Sequence, residues 1–249
     1  MTIKLVYDYY KIMKSIFLAD SHLRNPEDQS YKELIHFFRQ LPDDLDNLFI
    51  LGDFFEFWHG YQDVVFSHYI PILTVLKELS EKGVKIYFFA GNHEVSSGPA
   101  LAEIATFYAD DATIEIDGQK LYLAHGDRLN PADYLYRFWR GLLRHRFTLK
   151  LIDLAPTGLT LKIADFLSTD TQTVQNRKKF IPPQVFRTCA NLFAGPDDIQ
   201  AIVIGHFHQE RQETFPAISE NKSLYILGDW VNSRSYLLLE NNHFSFHKA

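Results

Sequence analysis

Five apolar runs, each closed by a polar cluster, restrict the folds open to this chain. Residues 15–19, 48–51, 86–90, 121–124 and 201–204 are short and almost wholly apolar. They lead into Asp20-Ser21-His22, Gly52-Asp53, Gly91-Asn92-His93-Glu94, His125-Gly126-Asp127 and Gly205-His206-Phe207-His208. Runs of this length suit strands buried on both faces. Open α/β sheets carry their sites at the carboxyl ends of strands. The spacing therefore predicts five strand ends delivering Asp, His and Asn side chains to one edge of one sheet. Such a rim has the donors to hold two cations.

With 249 residues, 46% of them apolar, the chain can bury the core of one large α/β domain, or of a domain with an insertion. A formal net charge of −6 argues against broad nucleic-acid binding, and no nucleic-acid partner is expected. The single cysteine, Cys189, excludes an intrachain disulfide and a thiolate metal cluster, and suits a reducing cytoplasm. No apolar run approaches the roughly 20 residues of a membrane-crossing helix, and no leader pattern is visible. A soluble cytoplasmic protein able to touch a membrane from its surface is expected. The segment from Met13 reads as a natural start running into the first strand. Residues 1–12, with three tyrosines and no motif, are either an extra edge strand or the product of an upstream start.

Strand-like and helical patterns alternate, which predicts a layered α/β fold. Tyr31, Leu34, Ile35, Phe37, Phe38 and Leu41 recur at helical spacing. A second helix is expected over 64–81, with Gly83 just past its end, and a third over about 99–108. Residues 114–116 and 120–124 should pair as a hairpin across Asp117-Gly118. Strands return at 201–204, 224–227, 236–240 and 243–247, with Asn241-Asn242 turning between the last two.

Residues 128–190 differ in character. They hold eleven Lys or Arg against four Asp, a net +7 inside an acidic chain, interleaved with aromatic and aliphatic residues from Tyr134 to Leu154. That mixture suits a lid over an amphiphilic anion, or a membrane surface. A helical insertion with a solvated basic face would look the same. The position directly after His125-Gly126-Asp127 favours the lid. The expected division is a core of 1–130 and 191–249 around an inserted helical lid at 131–190.

The rim residues carry the chemistry. Asp20 and His22 stand two apart at a strand end, and His206 and His208 repeat that spacing. Asp53 is the natural bridging carboxylate, Asn92 offers an amide oxygen and His125 an imidazole. A His, Asp and Asn set without sulfur favours Mn, Fe or Zn over copper or calcium. His36, His59, His68, His145, His243 and His247 read as structural or surface histidines.

In order and wording these motifs resemble the calcineurin-like metallophosphoesterases, over nearly the whole chain outside the lid. The resemblance implies a layered sandwich and two divalent ions, with Mn2+ expected first. One ion would be held by Asp20, His22, Asp53 and His208, the other by Asp53, Asn92, His125 and His206. It sets His93 beside the scissile phosphate as the catalytic side chain. Glu94 stands where Asp is more usual, and either acid could orient the imidazole.

A narrower likeness is carried by Gly52-Asp53-Phe54-Phe55-Glu56-Phe57-Trp58-His59-Gly60, by His125-Gly126-Asp127-Arg128-Leu129 with Asp133, Tyr136 and Arg140, and by Gly228-Asp229-Trp230. These segments are similar to those of the UDP-2,3-diacylglucosamine diphosphatases of lipid A synthesis. That likeness implies a UDP-linked acylated glucosamine as substrate, and the inner-membrane surface as a peripheral partner. UMP and 2,3-diacylglucosamine 1-phosphate would be the products. Candidate substrate contacts are Asp133, Tyr136, Arg140, Arg177, Lys178 and Lys179. At His93 the chain departs from many of those enzymes, which carry Arg there. A hydrolase of the same superfamily acting on a nucleotide, a phosphoprotein or nucleic acid is the alternative, and a non-catalytic module on this fold is the third reading.

Overall fold

The computed structural model describes residues 13–145, 147–148, 180–219 and 221–249. Both readings of residues 1–12 lie outside them, as do most of the expected lid and Arg177, Lys178 and Lys179.

Two sheets form, in keeping with the layered sandwich, whereas the strand-tip pattern alone places all five tips on one sheet. Strands β1 (Ser15–Leu18), β2 (Asn47–Leu51), β3 (Lys85–Phe89) and β4 (Thr106–Tyr108) run parallel, and β10 (Ser235–Glu240) and β11 (His243–Lys248) extend that sheet in the order β11-β10-β1-β2-β3-β4. A second sheet takes β5 (Ala112–Ile116), β6 (Gln119–Ala124), β7 (Ala201–Ile204), β8 (Arg211–Thr214) and β9 (Ser223–Ile226) in the order β5-β6-β7-β9-β8. The five predicted strand tips are thus shared, three on the first sheet and two on the second.

Side-chain alternation explains the split. On β1 and β2, Phe17, Phe49 and Leu51 join Leu121, Leu123, Ala201 and Val203 in a core between the sheets. Their neighbours Ile16, Leu18, Leu48 and Ile50 face the other way. They meet Tyr31, Leu34 and Phe38 of α1 (Gln29–Arg39) and Val75, Leu76 and Leu79 of α2 (Ile70–Glu81). Beyond the second sheet, Ile202, Ile204, Leu224 and Ile226 pack with Val185, Cys189 and Phe193 of the helix Pro183–Ala194. Strands buried on both faces need apolar residues at every position, hence the unbroken runs. Tyr87, Phe49 and Phe17 stack across the inner face at centroid spacings of 4.6 Å.

Local differences have local causes. The second helix starts at Ile70, after a single 3-10 turn at Ser67–Tyr69. Pro71 is tolerated only in a first turn, so no helix runs through from 64. The expected third helix is only α3 (Gly98–Ala102). Residues 106–108 instead pair with β3, where Phe107 stacks on Phe88 and Tyr108 on Phe89. Edge strand β8, reading Arg-Gln-Glu-Thr, has no apolar alternation and was not anticipated. Both hairpin turns form as expected, with positive φ at Asp117, Gly118, Asn241 and Asn242. Helix α4 (Tyr134–Leu143) opens the expected lid, α5 is the helix Pro183–Ala194, and α6 (Trp230–Ser233) precedes β10. The expected boundary at 190/191 falls inside α5.

Candidate metal centre

The two sheets end at the same place, and hydrogen bonds tie their loops together. Asp20 N–H donates to the Gly52 carbonyl, His22 N–H to that of Asp53, and His206 N–H to Asp20 Oδ2 at 2.8 Å. Asp20, His22, Asp53, His206 and His208 all sit at positive φ, between 42° and 71°. Left-handed backbone costs about 1–2 kcal/mol for a residue with a Cβ, and such strain concentrates at functional sites. The loops also approach too closely for other residues. A Cβ on Gly91 would lie 2.3 Å from Asp53 N and Oδ1.

Asp53 lies between two sets of donors. Its Oδ2 is 3.4 Å from His125 Nε2, 3.8 Å from His93 Nε2 and 3.9 Å from His22 Nε2. Three groups bring their donor atoms within 4.8 Å of one another: Asp20, His22 and His208; His22, Asp53 and His93; and Asp53, His125 and His206. Asn92 Oδ1 approaches His125 Nε2 at 3.4 Å, and His206 Nδ1 is 3.2 Å from the same nitrogen. The other six candidate ligands and His93 are therefore gathered around the buried Asp53 carboxylate. Two carboxylates, four imidazoles and an amide oxygen fit a pair of divalent cations of the Mn, Fe or Zn type.

Backbone carbonyls fix the outer nitrogens of two of the imidazoles. His125 Nδ1 lies 2.8 Å from the Leu51 carbonyl, which can only accept, so Nδ1 carries a proton and Nε2 is turned to the centre. His93 Nδ1 meets the Glu56 carbonyl at 2.6 Å and also turns Nε2 inward. His208 Nδ1 is 3.6 Å from Asp229, and His22 Nδ1 is 3.8 Å from the Glu56 carboxylate. Asp229 also caps α6 through the Asn232 amide, so Gly228-Asp229-Trp230 has a role here.

Glu94 does something the sequence reading did not foresee. Fully buried, its carboxylate accepts from the backbone N–H groups of Gly91, Asp53, Phe54 and Phe55 at 2.8–3.0 Å. It clamps two loops together; the Glu56 carbonyl, not Glu94, orients His93. An acid directly after the histidine was visible in sequence, but nothing local shows that its partners are amides from another loop.

The electrostatics follow from this crowding. Burial and the neighbouring Asp53 push the Glu94 carboxyl up to about 7, against the amide donors that favour its ionised form. Burial opposes charge on His125, yet Asp53, Asp20 and Asp127 outweigh it and raise the imidazole to about 10. Asp20 is buried too, but His208 and His125 hold it well below the ordinary carboxylate range.

Helix α4 is fastened by its polar side. Asp133 caps it by accepting from Tyr136 N–H at 3.2 Å. Tyr136 Oη donates to Asp127, and Arg140 pairs with Asp127 at 3.0 Å and Asp110 at 2.9 Å. Tyr136, Arg140 and Arg144 recur at i, i+4 and i+8, one helix face, and all three reach into the core domain. The opposite face leaves Tyr134, Leu135, Phe138, Trp139 and Leu142 between 45% and 78% exposed. This helix is inverted: polar inward, aromatic outward. Asp133, Tyr136 and Arg140, expected to touch substrate, are engaged in holding α4 to the core.

Comparison with known proteins gives a family. The model described as calcineurin-like phosphoesterase matches residues 13–210. A UDP-2,3-diacylglucosamine hydrolase of Nitrosococcus oceani is 27% identical over 237 residues, covering 94% of each chain. Proteins of the same name from Stutzerimonas stutzeri, 27% identical over 94% of this chain and 97% of theirs, and from Vibrio cholerae, 26% identical over 91% and 94%, are similar as well.

Proposed function

The chain belongs to the calcineurin-like phosphoesterase family and is a metal-dependent hydrolase, and from that premise we propose a dinuclear enzyme. Its substrate would be UDP-2,3-diacylglucosamine, cleaved at the pyrophosphate to UMP and 2,3-diacylglucosamine 1-phosphate. The observation that carries the dinuclear reading is the position of Asp53 between His22 on one side and His125 and His206 on the other. Asp20, His22, Asp53 and His208 would hold one ion, and Asp53, Asn92, His125 and His206 the second, with Mn2+ the proposed metal.

Two adjacent cations, when bound, lower the pKa of a water and clamp both ends of an in-line displacement. The chain's own residues supply the frame. Asp53 keeps its two donor sets in register, and Glu94 holds the loops that carry Asp53 and Asn92. His93, fixed through Nδ1 by Glu56, presents Nε2 to the site. In its protonated state that nitrogen donates to a phosphoryl or leaving oxygen as negative charge grows there.

Two facts support the acylated substrate: the activity for which the similar proteins are named, and the aromatic outer face of α4. Each acyl methylene buried contributes about 0.8 kcal/mol, so a partly covered chain would dominate affinity. The same face suits peripheral contact with the inner membrane from the cytoplasm. Among the described residues no helix is long and apolar enough to cross a membrane. A phosphate-gripping role for Asp133, Tyr136 or Arg140 would require breaking their present contacts, so the reading does not rest on them. One observation favours the broader alternative, a phosphoesterase acting on another diester, nucleotide or phosphoprotein: His93 stands where the narrower likeness has Arg.

The test is hydrolysis of diacylated UDP-glucosamine and of bare UDP-glucosamine by one Mn2+-loaded preparation, followed by UMP release. Strong preference for the acylated form is expected. Equal cleavage of the bare nucleotide sugar would sink the lipid reading and leave the broader one.

A further inference from the structure

Arg144 lies just past α4, and its guanidinium reaches the loop that carries Asn92 and His93. One terminal nitrogen donates to the Gly91 and Glu94 carbonyls, both at 2.5 Å, and the other to the Ala109 carbonyl at 2.6 Å. Gly91 and Glu94 are the residues immediately flanking Asn92-His93. The loop is therefore gripped from two directions. Glu94 takes the Gly91 N–H with its carboxylate, and Arg144 takes the carbonyls. Asp53 Oδ1 accepts the His93 N–H at 3.1 Å, and Trp58 N–H donates to the His93 carbonyl at 2.9 Å. Short loops hold a strained geometry only when their backbone groups are satisfied in this way.

We propose that Arg144 is a positioning residue that fixes Asn92 and His93 through the carbonyls on either side of them, coupling the docking of α4 to the geometry of the metal centre. The inference rests on the dinuclear reading, since it acts through a ligand of the second ion. Three acceptors in three directions match the planar fork of an arginine, which a point-charge ammonium cannot reproduce. No other described residue donates a side-chain hydrogen bond to the Gly91 or Glu94 carbonyl.

The experiment compares the wild-type chain with Arg144→Ala, Asn92→Ala and Arg137→Ala, the last removing an exposed charge from the same helix. Calorimetric titration with Mn2+ gives stoichiometry and affinity, melting temperature reports folding, and kcat and KM are measured on the preferred substrate. Arg144→Ala should weaken the second Mn2+ by about 10–100-fold, the scale for groups that orient ligands. It should lower kcat by a similar factor, with KM within about threefold and with partial recovery in millimolar guanidinium; Arg137→Ala should match wild type. A merely structural arginine would lower the melting temperature while leaving the second ion and the kcat of folded enzyme unchanged, and that result overturns the proposal. Should the alanine variant not fold, Arg144→Lys replaces it, and wild-type kcat and Mn2+ affinities in the lysine variant overturn it equally. A wild type binding fewer than two ions removes the dinuclear reading and this inference with it. Two ions in wild type, one in Asn92→Ala and two at full affinity in Arg144→Ala sink this inference alone.

Discussion

Glu94→Gln isolates the clamp between the two loops, because it changes one atom of a buried side chain and nearly none of its volume. In the native protein Oε1 accepts from Phe54 and Phe55, and Oε2 from Asp53 and Gly91. A glutamine has one oxygen and one NH2, so whichever way the amide turns, two of these N–H groups face a donor. A buried amide left without an acceptor costs about 1–3 kcal/mol. Two of them, with the charge-assisted character of the other pair lost, give about 3–6 kcal/mol. Neutralising a carboxylate beside Asp53 returns part of that, since burial and Asp53 already work against its charge. A net loss of about 2–5 kcal/mol is expected, a large share of a total near 5–15 kcal/mol. Urea unfolding of the metal-free protein measures it as a fall in midpoint at unchanged slope. A loss below about 1 kcal/mol, with wild-type Mn2+ affinity, would mean that the loops hold their shape without the clamp, and the argument would fail.

Asp53→Asn should abolish turnover and weaken both ions; a variant that keeps two tightly bound ions would refute the bridging role. His93→Ala should lower kcat by roughly 10²–10⁴-fold with little change in KM, and an unchanged kcat would reassign the side chain to structure. Mn2+ binding near pH 7 should release protons, because His125, raised to about 10 without an ion, must give one up. Affinity should therefore climb with pH toward that value, and titration heats identical in buffers of different ionisation enthalpy would contradict this. The same linkage fixes a sign for stability: the metal-free protein gains from His125 below the unfolded value near 6.5, and loses that gain as pH rises through about 10. Trp139→Ser with Phe138→Ser should reduce use of the acylated substrate and binding to anionic vesicles while sparing cleavage of a small diester, and unchanged values on all three would remove the aromatic face from the reading.

The cluster of candidate ligands was legible because every one of them follows one of five apolar runs, and period and position are local signals. What they converge on was not. Alternation along β1, β2 and β7 is equally consistent with one sheet covered by helices and with two sheets stacked on each other, since both bury every residue. Only the pairing of β6 with β7, away from β3, decides it. The short β4 and the polar β8 were missed because an edge strand with few apolar residues resembles a helix end or a loop. On α4 the composition was read correctly as cationic and aromatic, but charge pattern does not say which face turns inward.

That inversion bears on how the centre keeps its shape. Five candidate ligands stand at positive φ, a conformation their own side chains oppose. Local sequence could not hold them there. The frame comes from a second tier of residues acting on backbone atoms: Glu94 on four amides, Glu56 through its carbonyl on His93, and Arg144 on the carbonyls around Asn92. Such contacts leave no motif spacing, because the partner is a peptide group that any residue supplies. They are also where the charge of α4 is spent. Arginines facing solvent would have left the aromatic face to pack on the core; fastened inward, they hold the loop and leave the aromatic face outside. One arrangement of one helix therefore supports the metal centre and presents the apolar surface that an acylated substrate would require.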